Sequence, residues 1–220
     1  MAVPAPTFHE VVALARTGLS ARPSRALEVP GFRRAAVLIA ILDRPAGPTL
    51  LFTRRAATLP HHAGEISFPG GGLQAGEAPE AGALREAQEE VGLVSEHAEI
   101  LGRLDDLVSS WARSTVTPVV AAVASPPPVF TAAEGEVQEA FELPLVRLLE
   151  PGLQRTTLWD PSRLPPEVAE VVRQAPRPPE DVDPATGHWR VWSFHADPGR
   201  VVWGLSGRML RELFDRALAG

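Results

Sequence analysis

Three glutamates between positions 86 and 90 combine a residue type and a spacing that could hold a metal ion. Glu86, Glu89 and Glu90 occur at the spacing that makes side chains project from one face of a helix. Clustered carboxylates offer the hard oxygen ligands that divalent cations such as Mg²⁺ and Mn²⁺ prefer. A Glu-x-x-Glu-Glu face on its own is more often a solvated helix surface, so the residues around it decide between the two interpretations.

A run of glycines lies shortly before these glutamates. Gly70, Gly71 and Gly72 have no side chains, so the backbone can turn sharply there and approach a ligand closely. Glycine turns are common, but one beside a row of carboxylates would form a cradle for cations that bridge phosphate oxygens. Gly70 and Gly71 are therefore predicted to contact substrate.

The segment Pro79–Val91 is the strongest predicted helix and must position the glutamates. Pro79 suits a first helical position, where its missing N–H costs little, and Gly92 suits the residue just past the end. The face opposite the glutamates carries three apolar side chains, Leu84, Ala87 and Val91.

Other apolar and alternating stretches predict a mixture of strands and helices, which implies an α/β or α+β sandwich. Amphipathic helices are predicted at Phe8–Thr17, where Gly18 stops the helix, and at Leu205–Leu218. Glu136–Leu149 mixes helical spacing with a proline and is predicted to contain a short helix and a bend. Strands, of which the first two form a hairpin, are predicted at Ala35–Leu42, Thr49–Thr53, Ile100–Leu104, Val116–Ala124, Trp189–Phe194 and Val201–Trp203.

The chain divides into a short N-terminal part and one main domain. Residues 1–32 hold the first helix and a proline-bearing connector, and residues 33–220 form the main domain. A segment at about residues 160–187 is rich in Pro and acidic residues, with a short helix predicted at Pro166–Gln174. We interpret this segment as an exposed insertion.

Composition argues against several classes of function. The net charge of −6 argues against a general affinity for nucleic acid, and the absence of Cys excludes disulfides, thiolate metal sites and a thiol nucleophile. The longest apolar runs are too short to span a bilayer and the first residues do not resemble a signal peptide. We therefore expect a cytoplasmic protein that does not enter membranes. The oligomeric state stays open, with a homodimer as one alternative.

The stretch from Gly71 to Leu93 resembles the Nudix box, the pattern G-x5-E-x7-R-E-U-x-E-E-x-G-U in which U is aliphatic. This signal is far more specific than a glycine-rich motif alone. The resemblance implies a Nudix-type α/β/α sandwich with a mixed sheet, in which the box forms a loop and a helix. Every fixed position is matched, by Gly71, Glu77, Arg85, Glu86, Ala87, Glu89, Glu90, Gly92 and Leu93.

The resemblance to Nudix enzymes also implies roles for the residues of the box. The three glutamates would ligate Mg²⁺ or Mn²⁺, Arg85 and Glu77 would brace the loop against the helix, and Gly92 would end the helix. The implied activity is hydrolysis of a phosphoanhydride bond in a small nucleotide, by positioning, charge neutralisation and an activated water. Glu139 is our candidate for the base that orients the water, with an exposed helix charge as the alternative.

Residues upstream of the box resemble the signature of coenzyme A pyrophosphatases, roughly L-L-T-x-R-S/A-x3-R-x3-G-x3-F-P-G-G. The second Arg of the signature falls on Pro60, which has neither a cationic side chain nor an N–H to offer a phosphate. The first Arg is Arg55, for which phosphate contact and a structural ion pair are both open. The matching residues are Leu51, Thr53, Arg55, Ala56, Gly64, Phe68, Pro69, Gly70 and Gly71.

The sequence thus favours a hydrolase of coenzyme A or its derivatives, which would yield 3′,5′-ADP and 4′-phosphopantetheine. Pro60 supports the nearest alternative, a Nudix hydrolase of another nucleoside diphosphate derivative such as NADH, ADP-ribose or a dinucleotide polyphosphate. A non-catalytic nucleotide-binding module on the same fold is an alternative from another class, and the intact set of box glutamates argues against it.

Overall fold

A mixed β-sheet forms the centre of the fold. The computed structural model describes residues 5–57, 64–109, 112–163 and 181–218, so Pro60 and the helix predicted at Pro166–Gln174 lie outside the described residues. In the described part, eight strands belong to this sheet. They are β1 (Arg33–Leu42), β2 (Thr49–Arg55), β3 (Ile66–Ser67), β4 (Gly70–Gly72), β5 (Ala98–Arg103), β6 (Leu107–Ser109), β7 (Ser114–Val123) and β8 (Val137–Pro144).

Strands β1 and β7 lie side by side at the middle of the sheet. They run parallel from the pair Arg33 and Ser114 to the pair Leu42 and Val123, whereas β1 and β2 form the predicted antiparallel hairpin. The order along the sheet is β3-β2-β1-β7-β5, with β4 also pairing β1, β6 pairing β7 and β8 pairing β2. Every residue of β7 is buried, as expected for a strand that is covered on both faces.

Helices and a smaller sheet complete the described fold. The smaller sheet is antiparallel, in the order β11-β10-β9, and its strands are β9 (Gln154–Trp159), β10 (Trp189–Asp197) and β11 (Arg200–Trp203). The α-helices are α1 (Phe8–Ser20), α2 (Pro79–Val91), α3 (Leu145–Leu149) and α4 (Gly204–Glu212). A π-helical turn, Leu213–Ala217, follows α4 directly, and 3₁₀ turns lie at Ser95–His97, Pro151–Leu153 and Pro161–Arg163.

The large sheet separates two apolar clusters, so the molecule has three layers. On one face, α1, α4 and the smaller sheet pack against the sheet through side chains that include Phe8, Phe52 and Leu210. On the other face, Ala87 and Val91 of α2 pack against the opposite sides of the central strands. This arrangement confirms the predicted mixed α/β fold.

Helix α1 continues beyond the glycine that was predicted to end it. It runs from Phe8 to Ser20 with Gly18 inside, and its apolar face belongs to the main core cluster. A Cβ atom at Gly18 would lie 2.2 Å from the carbonyl oxygen of Arg216, so the missing side chain allows α1 to pack closely on the C-terminal segment. The prediction that Gly18 stops the helix was wrong, because this glycine serves close packing.

Residues 136–149 contain more strand than the sequence predicted. The predicted short helix is present as α3, but β8 precedes it and pairs along β2. Pairing with a neighbouring strand outweighs local helical spacing here. Strand β9 was also missed, because most of its side chains are exposed and give no apolar alternation.

The Pro-rich segment at about residues 160–187 is attached to the domain at residues 181 and 182, where the description of the chain begins again. Asp181 is buried and pairs with Arg208 of α4, and Val182 forms a single β-bridge with Trp189. Asp181 and Val182, which we predicted to lie in the exposed insertion, are therefore attached to the domain, whereas residues 184–187 are exposed. None of the described helices combines the length and the apolar character that crossing a bilayer would require.

Candidate active site

Helix α2 carries the three glutamates and begins and ends where the sequence predicted. Pro79 lies in its first turn, and Gly92 follows its last residue in the left-handed conformation, with a φ of 71°. Glycine adopts this conformation without the steric cost that a Cβ atom imposes, so the chain turns away directly after Val91.

The glycine run forms β4, and two of its residues have no room for a side chain. Gly70 pairs with Val37 of β1. A Cβ atom at Gly70 would lie 2.3 Å from the carbonyl oxygen of Ala36, and one at Gly71 would lie 2.5 Å from Oε2 of Glu86. The glycines therefore let β1 and α2 come together with only backbone between them.

Glu90 lies buried between α2 and β4. Only 7% of its surface is exposed, and its Oε2 accepts a hydrogen bond of 3.0 Å from the amide of Gly70. Burial raises the pKa of Glu90 to about 7; the Gly70 hydrogen bond opposes this rise and the nearby charge of Glu86 adds to it. A carboxylate held in such surroundings is stabilised by a cation beside it.

Arg85 gathers the other carboxylates of the box around one guanidinium group. Its Nε and Nη2 donate to Glu77 at 2.9 and 3.0 Å, and its Nη1 donates to Glu86 at 2.8 Å and to Glu89 at 3.1 Å. Nη2 also donates to the carbonyl of Gly72 at 3.0 Å, which ties α2 to β4. The hydrogen bond from Arg85 is the main reason that the pKa of Glu77 falls to about 2. Glu77 therefore stays charged at neutral pH and restrains Arg85.

The residues of this site fit a divalent cation in their chemistry. They offer carboxylate and carbonyl oxygens, and the buried charge of Glu90 beside Glu86 would be offset by a cation. Within the ranges that the structure describes, no three His, Asp or Glu side chains are already arranged as a metal site. Glu86 and Glu89 are instead paired with Arg85, so a cation would compete with this arginine for two of its ligands.

Arg55 lies at the end of β2 and on the same face of the sheet as α2. Leu51, four positions earlier on this strand, packs in the cluster of α2, and alternate side chains of a strand share a face. The Nε atom of Arg55 is buried without a hydrogen-bond partner. Burial raises the pKa of Glu90, and the charge of Arg55 counteracts that rise. A cationic side chain with a free buried donor beside the glutamates is suited to a substrate phosphate.

Glu139 lies on β8 opposite Arg54, on the other face of the sheet from α2. Phe141 and Leu143, which share its side of the strand, belong to the cluster of α1 and α4. The carboxylate of Glu139 lies 3.5 Å from Nε of Arg54 and pairs with Arg200 of β11. The structure therefore does not bring Glu139, our candidate base, next to the box glutamates.

Glu136 lies outside the box and belongs to none of the motifs found in the sequence, but its charge affects the pKa of Glu90. Burial is the main cause of the raised pKa of Glu90, and the charge of Glu136 adds to it. The turn before β8 is held against α2 and β2, because Ala133 donates to the carbonyl of Glu90 and Ala56 donates to that of Glu136, both at 2.9 Å. No spacing in the sequence signals this approach, since strand pairing brings the two glutamates together.

Comparison with known proteins identifies relatives over most of the chain. The family model described as NUDIX domain matches residues 32–166. The chain is 37% identical over 195 residues to "Uncharacterized Nudix hydrolase NudL" of Cronobacter sakazakii, covering 87% of this chain and 86% of that protein. It is 37% identical over 194 residues to the protein of the same name from Salmonella typhimurium, with coverage of 87% and 86%. Among solved structures, the Nudix hydrolase RenU of M. smegmatis is similar over 50% of this chain and 69% of that chain, with 26% identity and a TM-score of 0.43.

The family model and the relatives of 37% identity agree with the geometry of the site. The region that matches the family model includes the complete box, and the box forms a glycine strand followed by a helix. The relatives of 37% identity extend the likeness beyond the box to nearly the whole chain. The chain therefore belongs to the Nudix hydrolase family.

Proposed function

We propose that this Nudix hydrolase cleaves the phosphoanhydride bond of coenzyme A or a coenzyme A derivative, in a reaction that depends on Mg²⁺ or Mn²⁺. Water adds across the bond, and the products are 3′,5′-ADP and 4′-phosphopantetheine or its acyl form. The observation that carries the proposal is that Arg55, from the coenzyme A signature, lies on the same face of the sheet as the box glutamates and acts on the charge of Glu90.

In this proposal Glu86, Glu89 and Glu90 hold the divalent cation. A bound cation supplies neutralisation of phosphate charge and activation of water. The chain supplies the positions of the ligands: Gly70 restrains Glu90 through its amide, and Arg85 restrains the other two through its guanidinium. The chain has no Cys and therefore no thiol nucleophile, so we propose that water attacks the phosphoanhydride bond directly.

The substrate side of the proposal rests on β2 and β4. Gly70 and Gly71 present backbone without Cβ atoms, so a diphosphate can approach the strand closely. Arg55 offers N–H donors in a planar fork that suits phosphate oxygens, and its unpartnered Nε leaves one donor free. A small nucleotide is thus the proposed partner, and the lack of Cys suits a protein of the reducing cytoplasm.

A second candidate is hydrolysis of another nucleoside diphosphate derivative, such as NADH, ADP-ribose or a dinucleotide polyphosphate. Pro60 favours it, because the coenzyme A signature has an Arg at this position and proline offers a phosphate no donor. Both candidates use the same glutamates, so they differ only in the groups that contact the rest of the nucleotide.

A substrate panel separates these candidates. The purified protein is incubated with coenzyme A, acetyl coenzyme A, NADH, ADP-ribose and diadenosine tetraphosphate, with Mg²⁺ and with Mn²⁺, and the products are identified by mass. We expect 3′,5′-ADP and 4′-phosphopantetheine from coenzyme A, and a higher KM in Arg55→Ala but not in the control Arg163→Ala, whose side chain is 80% exposed. Robust turnover of another nucleotide with coenzyme A intact would replace the substrate assignment. A protein inert on the whole panel would favour a nucleotide-binding module.

A further inference from the structure

The last two residues of β2 point to opposite faces of the sheet. Arg55 lies on the face of α2 and acts on Glu90, as described above. Arg54 lies on the other face, where its Nη2 donates to the carbonyl of Gly199 at 3.1 Å and its Nε lies 3.5 Å from Glu139. The contacts of Arg54 therefore influence the position of Arg55, the arginine that we propose binds phosphate.

The pairing between β2 and β8 is irregular between these two arginines. Arg54 pairs with Glu139, but Arg55 pairs with Val137, so Gln138 is the extra residue of a β-bulge. A bulge bends its strand, increases the local twist and re-aims the neighbouring side chains. Arg55 is the β2 residue next to this bulge of β8, so its direction depends on what holds the adjacent pair, Arg54 and Glu139, in place.

Glu139 holds this pair by joining two arginines from different sheets. Besides Arg54, it binds Arg200 of β11, which also pairs with Asp197 at 2.9 Å and lies over the ring of Phe141 at 4.3 Å. The small sheet is in this way attached to the end of β2. Because 37% of the Glu139 side chain is exposed, these ion pairs contribute little to overall stability, and their effect is on geometry.

We propose that Glu139 is a positioning residue: by holding Arg54 and Arg200 it fixes the end of β2 that lies opposite the bulge of β8, and thereby directs Arg55 toward the substrate phosphate. This assigns Glu139 a role other than that of the water-orienting base. The inference rests on the proposed function in one respect, namely that Arg55 contacts substrate.

A double-mutant cycle tests this role with the substrate that the panel identifies. Glu139→Ala is expected to raise KM about ten-fold, with kcat and its pH profile retained, since misplacing a binding group weakens binding more than chemistry. In an Arg55→Ala background the same substitution should raise KM no further. Glu139→Gln keeps the shape of the side chain but not its charge, so its KM should lie between those of the wild type and Glu139→Ala. Glu99→Ala, which removes a strand glutamate paired with Arg16 far from the site, is the matched control and should leave KM unchanged.

Three results would overturn the inference. A fall in kcat of about a hundred-fold with a lost acidic limb of the pH profile would make Glu139 the base after all. Effects of Glu139→Ala and Arg55→Ala that multiply would show that the two residues act independently. An unchanged KM in Arg55→Ala would remove the contact through which Glu139 is proposed to act. A substrate other than coenzyme A would change the proposed function but would leave the cycle valid, so the two failures are distinguishable.

Discussion

The amide of Gly70 donates a hydrogen bond of 3.0 Å to Oε2 of Glu90, and this bond joins the glycine strand to the box helix. It orients a carboxylate of which only 7% is exposed and leaves the second oxygen for another partner. The glycine strand and the glutamate row are therefore one structural unit, and a substitution in either part is expected to alter the geometry of the other.

Glu90→Gln is expected to reduce turnover by at least about a hundred-fold while the protein stays folded. Glutamine keeps the volume of the side chain and an acceptor for Gly70, but it lacks the charge that a cation needs. Steady-state kinetics with a melting curve measure both effects. The exposed Glu96→Gln serves as the control and should retain activity. Full turnover by Glu90→Gln would show that the box does not hold the metal.

Addition of Mn²⁺ is expected to raise the melting temperature of the wild-type protein by about 2–4 °C, because a ligand that binds only the folded state stabilises it. The shift should vanish with EDTA and should be much smaller in Glu90→Gln. Differential scanning fluorimetry without substrate makes this measurement independent of activity. Equal shifts in the two proteins would place the cation elsewhere.

Gly71→Ala is expected to lower turnover without unfolding the protein. The new Cβ would lie 2.5 Å from Oε2 of Glu86, and the end of this side chain can move away at little cost to the fold. The displaced carboxylate would then be lost from the row of ligands. Gly72→Ala is the matched control, because a Cβ atom at Gly72 would have nothing within 4 Å, and it should lose far less activity. Similar losses in both variants would contradict the steric explanation.

Gly18→Ala is expected to destabilise the fold by about 1–3 kcal/mol, although alanine is the better helix former. The Cβ atom would meet the backbone of Arg216 at 2.2 Å and that of Ala217 at 2.8 Å, which cannot move without shifting the C-terminal segment. Urea denaturation measures the change, with Gly152→Ala as the control because its site is open. A stabilised Gly18→Ala protein would mean that α1 does not pack in this way.

The destabilisation caused by Asp105→Asn is expected to be largest at neutral pH and to shrink in acid. Burial raises the pKa of Asp105, but hydrogen bonds from Arg22 and from the Arg25 amide outweigh this and hold the pKa below its ordinary value. A carboxyl with a depressed folded-state pKa contributes stability above its unfolded pKa and loses it as the pH falls through the folded value. Denaturation at about pH 7 and about pH 3 tests the sign. A penalty that grows in acid would contradict the assigned charge state.

The box helix could be predicted to the residue because its determinants are local. Pro79 and Gly92 are start and stop signals that act within one turn, and the glutamates follow the helical period between them. The hairpin of β1 and β2 is similar, since a short turn of Pro and Gly joins two apolar runs.

The remaining features depend on segments that are distant along the chain. In the sequence Gly18 has the properties of a helix stop, because its close contact with the backbone of Arg216 becomes apparent only in the fold. The face on which Glu139 lies is decided by the register of β8 on β2, and a shift of one residue would reverse it. The approach of Glu136 to Glu90 has the same origin. Local spacing therefore identified the glutamate row and the glycines before it, but not Glu136, which a distant segment brings close to Glu90.

The parallel pairing of β1 with β7 also has a consequence for the order of folding. No hairpin can join two parallel strands, so the whole stretch from residue 43 to residue 122 must close as one loop before Leu42 can meet Val123. The box lies inside this loop. Pairing over such a sequence separation raises the mean contact order, and a higher contact order slows folding. On the ribosome, the box helix emerges well before the strand that completes the sheet beneath it.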